Sequence, residues 1–387
     1  MYKRIIILSL ATMMLVSCIG KQSPEKDNND IAVNSDMYLL IGTYTNDNVS
    51  KGIYLYKFNT STADSDSISM VEVENPSYLA VSANQQFVYS ITEGNDENSA
   101  VHAYSFDKQS GQLTHINSQP TQSSGPCYLI IDNKGKNVHT ANYGGGSISS
   151  FQVNADGGLT PANSVINFQG SGLDTVRQKK SHVHSIMYSP DNRFLFAADL
   201  GTDKLCRINV IDTPFEGQPA IQMGSIKEFQ MPAGTGPRHF DFHPDGGRYL
   251  YVLGELSGEV LMFDYNYGDI ILKQTITADS VGARGSADIH MSSDGRFLYT
   301  SNRLQADGIA IFSISEDDGT LTKVGYQQTV KHPRNFVISP NGKYILVAGR
   351  DDNKIQIFEV DNETGLLTDT HKHILISKPV CLKFAGM

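Results

Sequence analysis

Apolar and polar residues alternate in short runs along most of this chain, and the runs repeat. In Gly236-Pro237-Arg238-His239-Phe240-Asp241-Phe242 the large apolar side chains take alternate positions, the pattern of a strand with one buried face. His243-Pro244-Asp245-Gly246 follows as a turn, and Tyr249-Leu250-Tyr251 opens a second strand that runs on to Gly254-Glu255. An antiparallel hairpin sets the start of its first strand beside the end of its second. Arg238 and Glu255 are therefore expected side by side at one edge of a sheet.

Relatives of this hairpin recur throughout. Runs like Gly236-Pro237 begin at Asn75-Pro76, Gly125-Pro126, His182-Val183, Gly285-Ser286, His332-Pro333 and Lys378-Pro379, so the repeated position advances by 50, 57, 54, 49, 47 and 46 residues. A second strand follows most of them, as in Phe87-Val88-Tyr89, Phe194-Leu195-Phe196 and Tyr344-Ile345-Leu346, and a further copy, Met37-Tyr38-Leu39, stands ahead of the first full repeat. A third strand (Glu259 to Phe263, Lys354 to Phe358) and a weaker fourth (Ile270 to Ile276, Leu321 to Gln327) complete each unit. Seven units of four strands predict an all-β fold, a seven-bladed β-propeller of antiparallel blades. The repeats begin on a second strand and end on a first, Lys378 to Phe384. The last strand is thus expected to complete the blade begun by Met37 and close the ring, which removes the free edges. A β-sandwich predicts neither the seven copies nor the offset, and no helical period of useful length follows Cys18.

Composition agrees with short strands and tight turns: 387 residues include 34 Gly, 18 Tyr and 17 Phe, with no Trp. The formal net charge of −10 argues against a nucleic-acid partner. The N-terminus reads as a targeting segment, with Lys3 and Arg4 ahead of an apolar run from Ile5 to Val16 that is short for a membrane span. Leu15-Val16-Ser17-Cys18 resembles a bacterial lipobox, which predicts a signal peptide over residues 1–17, lipid on Cys18, a polar tether over 18–36 and the propeller over 37–387. The mature chain then carries −12 instead of −10, faces the cell envelope or its exterior, and meets a membrane only through its lipid. Cys127, Cys206 and Cys381 lie in strand-like runs, cannot all pair, and read as small buried hydrophobes.

Seven copies in one chain supply their own comparison. Positions filled alike in every blade are scaffold, among them Phe240 and Phe242 with their counterparts and the Asp-Gly or Asn-Gly turns; His243 belongs to such a turn. Positions filled differently, with polar residues, are candidates for chemistry. The residue after the proline position runs Ser77, Cys127, His184, Arg238, Ala287, Arg334, Val380, and the end of the second strand runs Thr43, Glu93, Tyr143, Leu200, Glu255, Arg303, Arg350. With the first strand innermost, both sets face the mouth of the central channel, a common place for ligand sites. His184, Arg238, Glu255, Arg303 and Arg334 form the expected cluster, with His182, His239, Asp288, Asn142, Tyr143 and Asn302 at its rim. Such a cluster suits an anion or a carbonyl: arginines bind carboxylate or phosphate bidentately and stabilise a developing oxyanion, while a Glu or His takes a proton from water. The competing reading of the same residues is an ion-pair network that stiffens the rim. No metal is expected, because three arginines would repel a divalent cation from Glu255, Asn142 and Asp199. Nucleophile-elbow, phosphate-loop and zinc-protease motifs are absent from the sequence.

The Gly236-Pro237-Arg238-His239-Phe240 run with Glu255, and His182-Val183-His184 with Asp199-Leu200-Gly201, resemble the seven-bladed propeller lactonases, a family of propeller-type 6-phosphogluconolactonases and muconate-cyclising enzymes. The resemblance spans Met37 to Gly386. It implies opening of a sugar lactone without a cofactor, with the active-site histidine, arginines and glutamate on His184, Arg238, Glu255 and Arg303 and the sugar carboxylate product on Arg303 or Arg334. A monomer is expected because propellers are commonly self-sufficient. A 6-phosphogluconolactone is a cytoplasmic metabolite, so Cys18 points instead to a lactone met outside the cytoplasm. Alternatives are a non-catalytic propeller that binds a carboxylated ligand, a muconate-type cyclising isomerase and a protein-interaction platform.

Overall fold

A computed structural model describes residues 35–387 apart from 47–48, 96–97, 213 and 215–216. The expected leader, the expected lipidation site Cys18 and the expected tether as far as residue 34 lie outside the described residues. The described chain forms seven four-stranded antiparallel sheets, six of them with their strands in consecutive sequence order. Blade 1 takes its inner strand from the end of the chain: Pro379–Gly386 pairs with Asp36–Thr43, followed outward by Gly52–Asn59 and Ser65–Glu72. The inner strands of blades 2 to 7 are Leu79–Val81, Pro126–Ile131, Val183–Tyr188, Pro237–Phe242, Ser286–Met291 and Pro333–Ile338. The chain thus closes the ring as its offset predicts. Asp36, expected in the tether, is already part of a strand, and Ser35 accepts from the Thr60 amide at 2.7 Å.

Second strands are buried along nearly their whole length, as in Tyr249–Gly254, because both faces lie between blades. Fourth strands alternate between exposed and half-buried residues, as in Asp269–Thr277, which is why their sequence signal is weak. A tyrosine strut links neighbours. Tyr38, Tyr89, Tyr251, Tyr299 and Tyr344 each donate to a carbonyl in the outer turn of the next blade, at Lys108 (3.0 Å), Gly157 (3.0 Å), Gly319 (2.8 Å), Gly365 (3.0 Å) and Ser61 (3.0 Å). The turn at Gly319 needs a glycine, since φ is +72° and a Cβ would lie 2.5 Å from Tyr249. The Ser-x-Asp and Ser-x-Asn turns after the inner strands are also scaffold: Ser189 donates to Asp191 (2.6 Å), Ser292 to Asp294 (2.6 Å) and Ser339 to Asn341 (2.7 Å). His243 ties its turn to the Gly295 carbonyl (3.1 Å), a structural place as expected.

One feature of the inner strands decides where the polar residues go. In blade 5, Pro237 pairs with Gly254 and His239 with Leu253, so Arg238 is an extra residue in the ladder. The same β-bulge makes His184, Arg334, Cys127 and Val380 the extra residues of blades 4, 7, 3 and 1. In blade 6 the shift lies between Ser286 and Ile289 and takes in Ala287 and Asp288. A bulge bends the strand and re-aims the side chain out of the alternation. The position singled out by comparing repeats is thus the bulge position, at one end of the channel.

Candidate functional site

A cavity of about 400 Å³ at that end is lined by Tyr44, Glu93, Cys127, Tyr143, Arg177, His184, Glu255, Arg303, Leu304, His332, Arg334 and Arg350. A wider recess of about 680 Å³ shares Tyr44, Glu93, Tyr143 and Arg350 with it. Four guanidiniums (Arg177, Arg303, Arg334, Arg350) face two carboxylates (Glu93, Glu255), an excess of two positive charges.

Glu255 is the hub. Its Oε1 accepts from Arg177 Nη2 at 2.7 Å, its Oε2 from Arg238 Nε at 2.8 Å, and Arg303 Nη2 lies 3.5 Å from Oε2. Burial alone would raise its pKa, but Arg303, Arg238 and Arg177 outweigh burial and hold the carboxyl at about 2. It is an anion at neutral pH, with both oxygens engaged. The ion-pair network anticipated at the rim therefore exists, and it is built around this one carboxylate.

The arginines divide into two kinds. Arg238 is 1% exposed, lies behind Glu255 and does not line the cavity; its Nη1 donates to the Ala287 carbonyl (2.7 Å) and to His239 Nε2 (3.1 Å). The hairpin adjacency of Arg238 and Glu255 is as predicted, but the guanidinium turns beneath the carboxylate and not into the cavity. Arg303 is likewise anchored, by Nε to the Gly285 carbonyl (2.8 Å) and Nη1 to His332 Nε2 (3.3 Å), yet it reaches the cavity wall. Arg334 differs. Among the described residues it makes no hydrogen bond; Glu93 Oε2 is 3.9 Å away and the guanidinium sits 5.6 Å from the Tyr44 ring centre. Burial works against its charge, but Tyr44 and Glu93 leave its pKa above the usual arginine value.

His184 lines the cavity opposite these charges. Burial first, then Arg238, His239 and Arg334, hold its pKa well below the ordinary histidine value, so the ring is neutral at pH 7. Nδ1 is 3.7 Å from Cys127 Sγ, and Nε2 has no hydrogen bond among the described residues. Cys127, read as a small buried hydrophobe, borders the cavity; burial pushes its thiol up to about 12. Cys206 and Cys381 are free and buried.

Of the expected rim, Tyr143 reaches the cavity, where its hydroxyl accepts from Arg177 at 3.2 Å. His182 stands behind it: the rings stack at 4.4 Å and His182 Nδ1 donates to the Tyr143 carbonyl at 2.8 Å. Asn142 and Asn302 are not brought to the cavity. The Asn142 amide is spent inside blade 3 on Ser147 (3.0 Å) and Ser149 (2.9 Å), and Asn302 accepts from Ser286 (2.6 Å) within blade 6. Both precede the end-of-strand residue by one position, and alternation turns them into the blade. His239 and Asp288 are buried beneath Arg238 and bonded to each other at 2.7 Å. Asp199 accepts from Ser181 (2.7 Å) and from the amides of His182 (2.7 Å) and Gly201 (3.0 Å), away from Glu255's partners.

Sequence reasoning missed Arg177, Tyr44 and His332 as cavity residues, and compared Glu93 without selecting it. Arg177 comes from the connection between Ser164–Asn167 and Val183–Tyr188. That connection is held down by Gln178, which donates to the Leu200 carbonyl (2.8 Å) and Asp203 (2.7 Å), and by an Arg284–Asp174 ion pair.

The family described as "Lactonase, 7-bladed beta-propeller" matches residues 38–384. A 6-phosphogluconolactonase of Formosa agariphila is 34% identical over 345 residues, covering 88% of this chain and 97% of the relative. A Bacillus subtilis 6-phosphogluconolactonase is 34% identical over 351 residues, covering 89% and 97%. Among solved structures, a candidate 6-phosphogluconolactonase of Bacteroides fragilis is 48% identical with a TM-score of 0.88 over 94% of this chain and 100% of its own. A periplasmic gluconolactonase of Pseudomonas aeruginosa is 31% identical with a TM-score of 0.85 over 91% and 99%.

Proposed function

This chain belongs to the seven-bladed β-propeller lactonase family, and on that premise we propose that it opens a sugar lactone to the aldonic acid in the arginine-lined cavity. The observation that carries the assignment to this cavity is Arg334, a half-buried guanidinium with no hydrogen-bond partner among the described residues, in a wall with excess positive charge. Such a group gains most from an oxygen that becomes anionic.

The lactone carbonyl points at Arg334 and Arg303. Water adds to the carbonyl carbon and gives a proton to His184, the neutral base whose Nε2 makes no hydrogen bond among the described residues. Glu255 is the poorer base, since both its oxygens accept from arginine and its carboxyl is held at about 2. The tetrahedral oxyanion rests on the two guanidiniums. Its collapse breaks the bond to the ring oxygen, which takes the proton back from His184 and leaves as the hydroxyl of the open chain. The carboxylic acid so formed gives its remaining proton to solvent water, and the carboxylate stays paired with Arg334 until release. Glu255 spaces and holds the arginines, so its role is electrostatic. Arg238, implied by the family resemblance as an active-site arginine, supports Glu255 from behind.

We place the protein outside the cytoplasm, anchored through a lipid on Cys18, and its lactone there with it, because of the leader and lipobox; the relative named as a periplasmic gluconolactonase supports that reading. The test is a panel of phosphorylated and plain aldonolactones, assayed with and without chelator and corrected for spontaneous hydrolysis. Equal turnover by wild type and Arg334→Ala would sink the assignment.

A further inference from the structure

Asp288 is 1% exposed and crowded with donors. Its Oδ1 accepts from His239 Nδ1 (2.7 Å) and the Ile289 amide (3.1 Å); its Oδ2 accepts from His290 Nε2 (3.1 Å), the Phe336 amide (3.2 Å) and the Asn335 side chain. A carboxylate in that setting only accepts, so His239 must carry its proton on Nδ1 and present a lone pair at Nε2. That lone pair meets Arg238 Nη1 at 3.1 Å, and Arg238 cannot do otherwise than donate. Arg238 Nε then donates to Glu255 Oε2 at 2.8 Å. One directed line of hydrogen bonds runs from Asp288 through His239 and Arg238 to the carboxylate at the cavity wall.

We infer that Asp288 and His239 are a positioning couple for Arg238 and, through it, for Glu255. The inference rests on the lactonase reading of the cavity and deepens it, because neither residue lines the cavity or can touch substrate there. A structural histidine would need only some partner. Here the partner's chemistry dictates the tautomer, and the tautomer dictates which way the arginine is held. The arrangement also recurs one blade on. Arg303 Nη1 lies 3.3 Å from His332 Nε2, and His332 Nδ1 faces Asp351 at 3.5 Å. Two arginines against Glu255 are thus each backed by a histidine that has a carboxylate on its far nitrogen. His239 also packs edge-on against His184 at 5.3 Å, so a second proton on its ring would place a charge beside the proposed base. Burial and Arg238 hold its pKa at about 4, against the opposing pull of Asp288.

The test pairs His239→Leu, which removes the acceptor, with His239→Gln, whose amide offers a donor to Asp288 and an acceptor to Arg238. With glucono-δ-lactone as probe, His239→Leu should lower kcat by about 10- to 100-fold, the scale of a displaced catalytic group, with KM little changed. His239→Gln should recover most of the loss. Nitrogen-15 spectra of histidine-labelled wild-type protein at pH 7 should show His239 as the Nδ1–H tautomer, a reading independent of turnover and of how either variant folds. An Nε2–H tautomer, or equal kcat losses in the Leu and Gln variants, would overturn the couple. A wild-type protein inert on every lactone, with the Nδ1–H tautomer present, would instead remove the lactonase reading and leave the positioning geometry standing.

Discussion

Arg177 reaches Glu255 from a different blade connection: its Nη2 lies 2.7 Å from Oε1, while Arg238, two positions after the Gly236 turn of blade 5, holds Oε2. The two guanidiniums clamp one carboxylate from opposite sides, one from the surface and one from the core. Arg177 is 38% exposed in its side chain, Arg238 only 2%. Equal-looking contacts should therefore respond very differently to mutation.

Arg177→Ala should leave thermal stability nearly unchanged, because Arg177 meets the buried Glu255 from the exposed side, where water can take its place on Oε1, and such a contact contributes about 1 kcal/mol or less. Activity should fall about 10-fold, since Glu255 Oε1 loses its partner and Tyr143 its donor. Melting curves and steady-state kinetics on one lactone check both halves. A melting temperature lowered as far as in Arg238→Ala would contradict the distinction.

Arg334→Gln should also separate activity from stability. Arg334 makes no hydrogen bond among the described residues; burial first, and Arg334 with it, press down the pKa values of Arg238 and Arg303, while Glu93 and Glu255 favour the charge on Arg334 itself. Removing it relieves that repulsion but also gives up the attraction of Glu93 and Glu255, so stability should change little while kcat/KM falls about 100- to 1000-fold, the usual loss for an oxyanion donor. A destabilised variant with intact kcat/KM would show that Arg334 is structural.

The scaffold was legible because seven copies in one chain mark which positions are constant. The Arg238–Glu255 contact was legible too, since it needs only the rule that hairpin ends meet. The direction of the Arg238 side chain was not. A bulge adds one residue to a ladder without any composition of its own, and the bulged residues here are as different as Cys127, His184 and Arg334. Asn142 and Asn302 were misplaced because one step along a strand changes faces. Arg177 was hidden because it lies between repeats; its one trace is the 57-residue step from Pro126 to Val183, the longest in the chain.

Arg238→Ala should be among the most destabilising single changes in the propeller. It strips a buried carboxylate of an inner partner and leaves the Ala287 carbonyl and His239 Nε2 without their donor. Breaking one side of a buried pair typically removes about 3–5 kcal/mol. Arg238→Lys should recover little, because one ammonium cannot hold three acceptors in the guanidinium's plane. Urea unfolding of both variants beside Glu255→Gln checks this, and a Lys variant as stable as wild type would refute it.

Acid should weaken the fold in two stages, and the signs follow from where each group is held. His139 and His239 are buried neutral with pKa values lowered by burial to about 4, against 6.5 in an open chain. The unfolded chain binds more protons as pH drops below 6.5, so the stability these rings contribute is complete above 6.5 and is lost on the way to 4. Glu255 follows: its folded value of about 2 lies below the free value of 4.5, so its contribution of about 3 kcal/mol is complete above 4.5 and is lost between 4.5 and 2. Catalysis should behave otherwise. Neither Glu255 nor His184 changes charge between pH 6 and 8, because one is held near 2 and the other well below 6.5. Enzymatic kcat/KM, corrected for the spontaneous reaction, should therefore be flat across that window while the midpoint of urea unfolding already declines from pH 6.5 downward. His239→Gln should shallow the first stage of that decline by about one proton, and Glu255→Gln should remove part of the second without touching the first. A rate that rises through an apparent pKa near 6.5 would mean that His184 titrates in the free enzyme and that the arginines around it do not hold it neutral.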